Sequence, residues 1–464
     1  MADVDRLAHG ALGTGESIVM GVAGTAPAFS VAVTTAALVA AVGLLSPGSI
    51  LYCGLIMFGV TLAFMHLNKT AANAGGTYIW VGQVFTPMLG FFAGWALLVA
   101  SAIFMVSGTT PAATATLQLL SSLNLVDQGH MNDPVWVNSI ASFWLLAVSA
   151  VIVKGIKPTS YTQIVMTGVE VVALVAVIVT AFVKFGDHPA HPFSIVWFAP
   201  WSFTPLSFAT GALTALFFFW GWDVTVNLNE ETRDAERSAG HGALASMVIV
   251  MVLFITFVTA VLLVLSDAEI DQAGTNIVFV LAERLFPGQL TYLAIIAVML
   301  STIGTLETSI LQFTRTLFAK GRDGALHPRY ATLHRHWKTP WLATLVIAIL
   351  GLLFLFFSSF VPTMNEIIKD SVNAIGFQVC FYYSLAGFAC AWHYRRQAFT
   401  SVPNFLLLFL WPGASAAFLV FIGLYSIPTF DLTAKVVGIG GLVVGIVPWI
   451  ANRWRLRRES VAAA

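Results

Sequence analysis

Charge is scarce in this chain. Only 9% of its 464 residues are Asp, Glu, Lys or Arg, where a soluble globular domain carries about 25%. No polar stretch is long enough to fold as a soluble domain of its own. Net charge is zero, which argues against a nucleic-acid partner. Cysteine is nearly absent. Cys53, Cys380 and Cys390 all lie in apolar runs and read as small buried hydrophobes. None sits in a polar loop, so no disulfide-linked ancillary subunit is expected. The motifs of enzymes are missing too. There is no paired-His helix, no glycine-rich phosphate loop with lysine and no nucleophile elbow. No catalytic residue, cofactor or metal site is therefore expected. Without a nucleotide domain, ATP-driven transport by this chain alone is excluded. Met1 to Gly15 lacks a charged n-region followed by a short apolar stretch and a cleavage site. The first hydrophobic segment is expected to stay in the mature protein.

Apolar residues are what the chain has. They make up 58% of it, with 36 Phe and 14 Trp, a composition suited to lipid-facing helices and interfacial belts. A helix needs about 20 apolar residues to cross a bilayer. Such segments fall near 16–43, 47–67, 88–119, 134–153, 159–184, 205–229, 240–266, 287–317, 339–360, 364–392, 403–427 and 430–452. The expected fold is an all-α polytopic membrane protein of about twelve transmembrane helices. Continuous apolar runs exclude a β-barrel, whose strands would be short and alternating. With the N-terminus placed inside, all of the 22 Lys and Arg residues but Lys184, Arg284, Lys369 and Lys435 fall on the inner side. That bias predicts that both termini are cytoplasmic in a multi-pass protein of the cell membrane. The outer stretch 267–287 reads as a small surface helix. His188 and His191 read as filler of a Pro-rich outer loop rather than as metal ligands.

Two of the segments are broken in the middle, at matching places in the two halves. The run from Glu16 to Gly43 is interrupted by Gly21-Val22-Ala23-Gly24-Thr25-Ala26-Pro27. The run from Pro205 to Glu230 is interrupted by Trp220-Gly221-Trp222-Asp223. Glycine loosens a helix, and proline removes a backbone donor. Freed N–H and C=O groups cannot face lipid, so they must face protein or a wet cavity. Paired broken helices point to a transporter's substrate site. N–H groups opening a half-helix suit a carboxylate, and carbonyls closing one suit an ammonium.

Three stretches resemble the amino acid–polyamine–organocation (APC) superfamily of secondary transporters. Gly221-Trp222-Asp223 followed by Asn229-Glu230-Glu231-Thr232-Arg233-Asp234 is similar to its glycine-aromatic-acid pattern at helix six and the acidic pair after it. Residues 315–328, with Thr339-Pro340 opening the next helix, resemble its loop after helix eight. Gly75-Gly76-Thr77-Tyr78 resembles its turn after helix two. The resemblance spans the first ten helices and implies a 5+5 inverted-repeat core with broken helices 1 and 6, a LeuT-like fold. It divides the chain into a cytoplasmic segment at 1–15, the ten-helix core at 16–392, two further helices at 403–452 and a cytoplasmic tail at 453–464. Three departures stand out. Asp223 replaces the usual glutamate, Ala23-Gly24-Thr25-Ala26-Pro27 replaces glycine-serine-glycine-isoleucine, and Glu170 stands where helix five usually carries lysine.

The resemblance implies substrate contacts by backbone of Ala23, Gly24 and Thr25 facing backbone of Phe219, Trp220 and Gly221. The competing reading of Gly24 and Gly221 is close packing at a helix crossing. Trp220 and Trp222 are about 200° apart on a regular helix, so one of them, Trp220, is expected to face the cavity. Glu170 lies about 18 Å into the membrane, twelve residues after Pro158. A carboxyl at that depth is expensive and marks function. Glu170, and after it Glu307, are the candidate coupling groups. Glu230 and Glu231 are expected to pair with Arg233, Arg315 or Arg322 as an inner gate. Asp223 is expected to cap the second half of helix six, and Lys369 to pair with Asp370. Ser301, Thr302 and Thr305 offer hydroxyls to a cation site beside helix one.

The resulting expectation is a permease importing an amino acid or related amine by proton symport in the lipid bilayer. A sodium-coupled symporter, an ion-independent exchanger of amino acids or polyamines, a non-transporting nutrient sensor and a cation channel are the alternatives.

Overall fold

The computed structural model describes residues 6–127, 129–130, 133–286, 288–360 and 364–463. Residues 1–5 of the expected N-terminal segment lie outside them. Long apolar runs fold as helices, because a helix satisfies its backbone internally. In chain order these are α1 (Thr14–Thr25), α2 (Pro27–Val42), α3 (Ser46–Thr70), α4 (Thr77–Val84), α5 (Pro87–Ser122), α6 (Pro134–Lys154) and α7 (Ile156–Phe185). After them come α8 (Pro205–Phe217), α9 (Val224–Asn227), α10 (Ala235–Val264), α11 (Asp267–Ala273), α12 (Ile277–Leu285), α13 (Tyr292–Arg322), α14 (Trp341–Ser358) and α15 (Met364–His393). Two more helical stretches, Val402–Thr429 and Leu432–Glu459, close the chain. Proline opens α2, α5, α6 and α8, where its missing N–H costs nothing. Thr86 and Asp133 cap α5 and α6 through their side chains.

Among the described residues, ten helical stretches are long and apolar enough to cross a membrane. The number differs from twelve for two physical reasons. The first stretch, Thr14–Thr70, is 57 residues long and holds the first two expected segments, joined by one tight turn at Gly43–Leu45. The sixth expected segment is cut short by its break, leaving α8 with 13 residues.

Both breaks fall where the sequence places them. Ala26 takes a left-handed φ of 46°, which ends α1, and Pro27 starts α2 in a new direction. The second break is longer than expected. Residues 218–223 form turns between α8 and α9, with Gly221 at φ 108°. Only glycine reaches that φ cheaply.

The centre of the bundle is α13, buried along one unbroken run from Ser301 to Gly321. On α7, Tyr161, Val165, Val172 and Val183 are exposed, the face that lipid would cover. The expected surface helix at 267–287 is two helices, α11 and α12, with Gly274 between them. Ser266 and Glu269 form a capping box at the start of α11. Hydrogen bonds from the Ser266 N–H and hydroxyl hold the Glu269 carboxyl below the usual range. His191 bonds the carbonyl of Leu262 at 2.8 Å and lies 3.3 Å from Asp267, so it ties its loop to the end of α10 and the start of α11. Lys369 pairs with Asp431 at 2.9 Å rather than with Asp370, because the last helical stretch starts beside α15. The three cysteines are buried free thiols.

Candidate functional site

The two breaks touch. A Cβ on Gly24 would lie 2.2 Å from the Gly221 carbonyl oxygen, and a Cβ on Gly221 would lie 2.0 Å from that of Gly24. Backbone therefore packs on backbone at this crossing, as the packing reading of these glycines requires. Hydroxyls serve the carbonyls that end α1. Thr25 Oγ1 donates to Val22 O at 2.8 Å, Thr305 Oγ1 to Ala23 O at 2.6 Å and Ser30 Oγ to Thr25 O at 2.6 Å.

The N–H groups that open α2 are served by α7 and α13. Ala28 N–H donates to Glu170 Oε1 at 2.8 Å. Phe29 N–H donates to Ser301 Oγ at 3.1 Å, and that hydroxyl donates to the same Glu170 oxygen at 2.6 Å. Glu170 thus accepts from the half-helix beyond the break. Counting residues from Pro158 put Glu170 deep in the membrane. The count could not give the partner, because partner choice depends on how α7 rotates against α2.

Glu307 is also buried, but it serves a different contact. Thr162 Oγ1 on α7 donates to its two oxygens at 3.2 and 3.3 Å. Thr162 is eight residues before Glu170, about 12 Å along the helix, so the two carboxyls are separate sites.

At the second break the sequence reading needs correcting. Asp223 holds the N-cap position of α9, but its side chain makes no cap bond. It accepts instead from Gln312 Nε2 at 2.8 Å, Tyr383 Oη at 2.9 Å and Tyr382 Oη at 3.0 Å. Trp220 Nε1 donates to Tyr382 Oη at 3.0 Å. Its ring meets Phe104 edge-on at 5.6 Å, and Phe104 meets Phe29 at 5.9 Å. Trp222 points elsewhere, packed against Phe64 and Tyr383. The Phe219 ring packs on Phe254 of α10. Sequence reasoning missed Tyr382, Tyr383, Gln312 and Phe104. The available signal was an aspartate at mid-membrane depth with no basic residue in its own segment.

The two ends differ. At the end where α10 begins, Arg315 and Glu231 form a two-pronged pair at 2.9 and 2.7 Å with both side chains fully buried. Arg322 pairs with Glu230 at 2.8 Å, a third to a quarter exposed, and Glu230 also accepts from Ala74 N–H. Arg233 instead bonds through its backbone to Leu12. Lys320 is buried beside them. Its ammonium donates to Phe91 O at 2.6 Å and lies 3.9 Å over the Phe91 ring. Toward the other end a cavity of about 480 Å³ is lined by Phe29, Gln118, Asp271, Asn276 and Ile368 among others.

Paired broken helices at the centre of a polytopic bundle define the class, a multi-pass helical membrane transporter. An amino acid permease model matches residues 15–447, so the chain belongs to the amino acid permease family of the APC superfamily, with its LeuT-like fold. Among curated relatives, the serine/threonine exchanger SteT of Bacillus subtilis is 25% identical over 342 residues, 72% of each chain. The methylthioribose transporter of the same species is 24% identical over 316 residues, 65% of each chain. The Asc-type amino acid transporter 1 of Mus musculus is 23% identical over 320 residues, 65% of this chain and 57% of the relative. This chain therefore spans less than two thirds of the length of the last two. Family and relatives point to a transporter rather than an enzyme.

Proposed function

We propose that the chain is a secondary active importer of an amino acid or related amine, coupled to protons. The observation that carries this is the contact of the two breaks beside a carboxyl, Glu170, bound to the first residues of α2. Rocking of one bundle against another would part Gly24 from Gly221 and change what Glu170 bonds. The Glu231–Arg315 and Glu230–Arg322 pairs act as the inner gate, with both termini on that side, and the cavity at Phe29 is the outer entrance. Ala23, Thr25, Trp220 and Gly221 border the path. A neutral carboxylic acid is the cheaper species at the depth of Glu170, and releasing its proton would couple transport to the proton gradient. Glu307, held by Thr162, is the second candidate.

Uptake into proteoliposomes under separately imposed proton and sodium gradients tests this reading. Accumulation should follow an inward proton gradient. Accumulation driven by sodium, or counterflow with no net accumulation, would replace proton symport by the sodium-coupled or exchange mode.

A further inference from the structure

The end of the bundle that holds the proposed inner gate also holds a group of unmatched cations. Lys69 lies in the last turn of α3, and Arg395 and Arg396 follow α15. All three are exposed. Residues 43–86 and 371–430 contain no Asp or Glu. Among the described residues no carboxylate pairs with any of the three. Like charges gathered without acids attract an anion.

These cations surround a cavity. It has a volume of about 340 Å³, lies between the ends of α3 and α15 and the short α4, and is lined by Thr70, Trp80, Gln83, Trp392, His393 and Arg395 among others. No acidic residue lines it. Arg395 is held in place there. Its Nη1 donates to Trp392 O at 2.6 Å, and its guanidinium lies 4.5 Å from the centre of the Trp392 ring. Four of its five N–H donors remain for a ligand, and their fork suits a phosphate.

The depth of the cavity selects the source of that phosphate. Trp392 is 54% exposed at the end of a membrane helix, and tryptophan so placed marks the headgroup level. Phe388, one turn earlier on the same face, is exposed as well and offers apolar surface to a lipid chain. A lipid is held at this level by its chains, whereas a soluble anion must be drawn from water. The cytoplasmic leaflet is also the one that carries anionic lipid.

The cavity wall reaches the gate. Trp80 Nε1 donates to Ala71 O at 2.8 Å, which ties α4 to the end of α3. The turn between them meets the second broken segment, where Asn227 Nδ2 donates to Ala74 O at 3.0 Å and Ala74 N–H to Glu230 at 3.1 Å.

We propose that this cavity binds the phosphate headgroup of an anionic membrane lipid, with Arg395, Arg396 and Lys69 as its counter-charges, and that the bound lipid steadies the turn at 71–76. This rests on the placement of that end at the cytoplasmic face and is independent of the substrate and coupling proposed above.

The test titrates delipidated full-length protein in neutral detergent with phosphatidylglycerol, with phosphatidylcholine of the same chains and with inorganic phosphate, following thermal stabilisation. Phosphatidylglycerol should half-saturate at a concentration about tenfold or more below phosphatidylcholine, and inorganic phosphate should give no stabilisation in the same range. The combined Lys69→Gln, Arg395→Gln and Arg396→Gln protein should lose the preference. A control with Lys154→Gln, Lys157→Gln and Arg335→Gln, exposed cations elsewhere at the same end, should keep it. Should the first triple variant not fold, Arg395→Gln alone should weaken phosphatidylglycerol binding about fivefold. Equal action of the two lipids, equal action of free phosphate, a preference lost in the control, or one untouched by Arg395→Gln overturns the site and leaves the transporter reading standing. Amide hydrogen exchange at 71–76 should slow when phosphatidylglycerol is added to wild type but not to the first triple variant. Exchange that phosphatidylglycerol leaves unchanged in wild type overturns the reach of the lipid to the gate.

Discussion

Gly24 and Gly221 lie so close that neither has room for a methyl group. Each added Cβ would sit within 2.2 Å of the other glycine's carbonyl oxygen. Backbone cannot swing aside as a flexible side chain can. Gly24→Ala should therefore cost about 1–3 kcal/mol, the range for overpacking. Gly221→Ala should cost more, since its φ of 108° is strained for any residue with a side chain. Gly168 is the control. It lies in α7 with nothing within 4 Å of its added Cβ, so Gly168→Ala should be neutral or gain about 0.5–1 kcal/mol. Thermal unfolding of the purified variants measures all three. A Gly24→Ala protein as stable as wild type would refute the crossing.

The two ion pairs of the proposed inner gate should behave differently. Glu231 and Arg315 are fully buried and joined by two hydrogen bonds. Removing one partner strands a buried charge, so Glu231→Ala should destabilise by about 3–5 kcal/mol. Glu230 and Arg322 are partly solvated, and Glu230→Gln should cost about 1 kcal/mol or less. Reversing charge with Glu230→Lys should instead shift the resting state, raising thiol labelling of cysteines introduced beside Ala74. Equal losses at the two pairs would show that burial does not separate them.

How much of this was legible in the sequence depends on the range of the interaction. Gly24, Pro27 and Gly221 announce their breaks locally, through backbone freedom and a missing donor. The buried position of Glu170 follows from counting residues into an apolar run. The pairing of Arg315 with Glu231 and of Arg322 with Glu230 was narrowed only to a set, because several opposite charges crowd one end. Asp223 was misread as a helix cap. Its donors come from α13 and α15, 89 to 160 residues away in the chain, and nothing local reports them. The second break was drawn too short for a similar reason. Phe218 and Phe219 are good helix-compatible residues, and their packing against Phe254 is tertiary.

Lys320 offers a test of packing against charge. It is fully buried, and its ammonium is met by a carbonyl and two aromatic rings, those of Phe91 and Tyr78. Replacing a buried charge by an apolar side chain of similar length is often neutral or stabilising. Lys320→Met should change stability by about 1 kcal/mol or less, whereas Lys320→Glu should prevent folding, as a buried carboxylate there would face only carbonyl and ring faces. Chromatographic monodispersity and thermal unfolding distinguish the two. A severe loss in Lys320→Met would mean that the ammonium itself holds α13 against α5.

Glu170 carries the proposed coupling, and its geometry sets a sharp pair of variants. Oε1 receives the Ala28 N–H and the Ser301 hydroxyl. Glutamine keeps a carbonyl oxygen at that place, so Glu170→Gln should fold, bind ligand and exchange it at close to wild-type levels. It has no proton to release. Accumulation against a gradient should therefore be lost, and uptake should no longer respond to an imposed pH difference. Leucine removes the acceptor. Glu170→Leu would leave a buried N–H without a partner, at about 1–3 kcal/mol, and should lose binding as well as coupling. Counterflow and pH-jump uptake in proteoliposomes separate exchange from accumulation in each variant. If Glu170→Gln still accumulates ligand with wild-type pH dependence, Glu170 is a structural cap of α2 and the coupling role passes to Glu307.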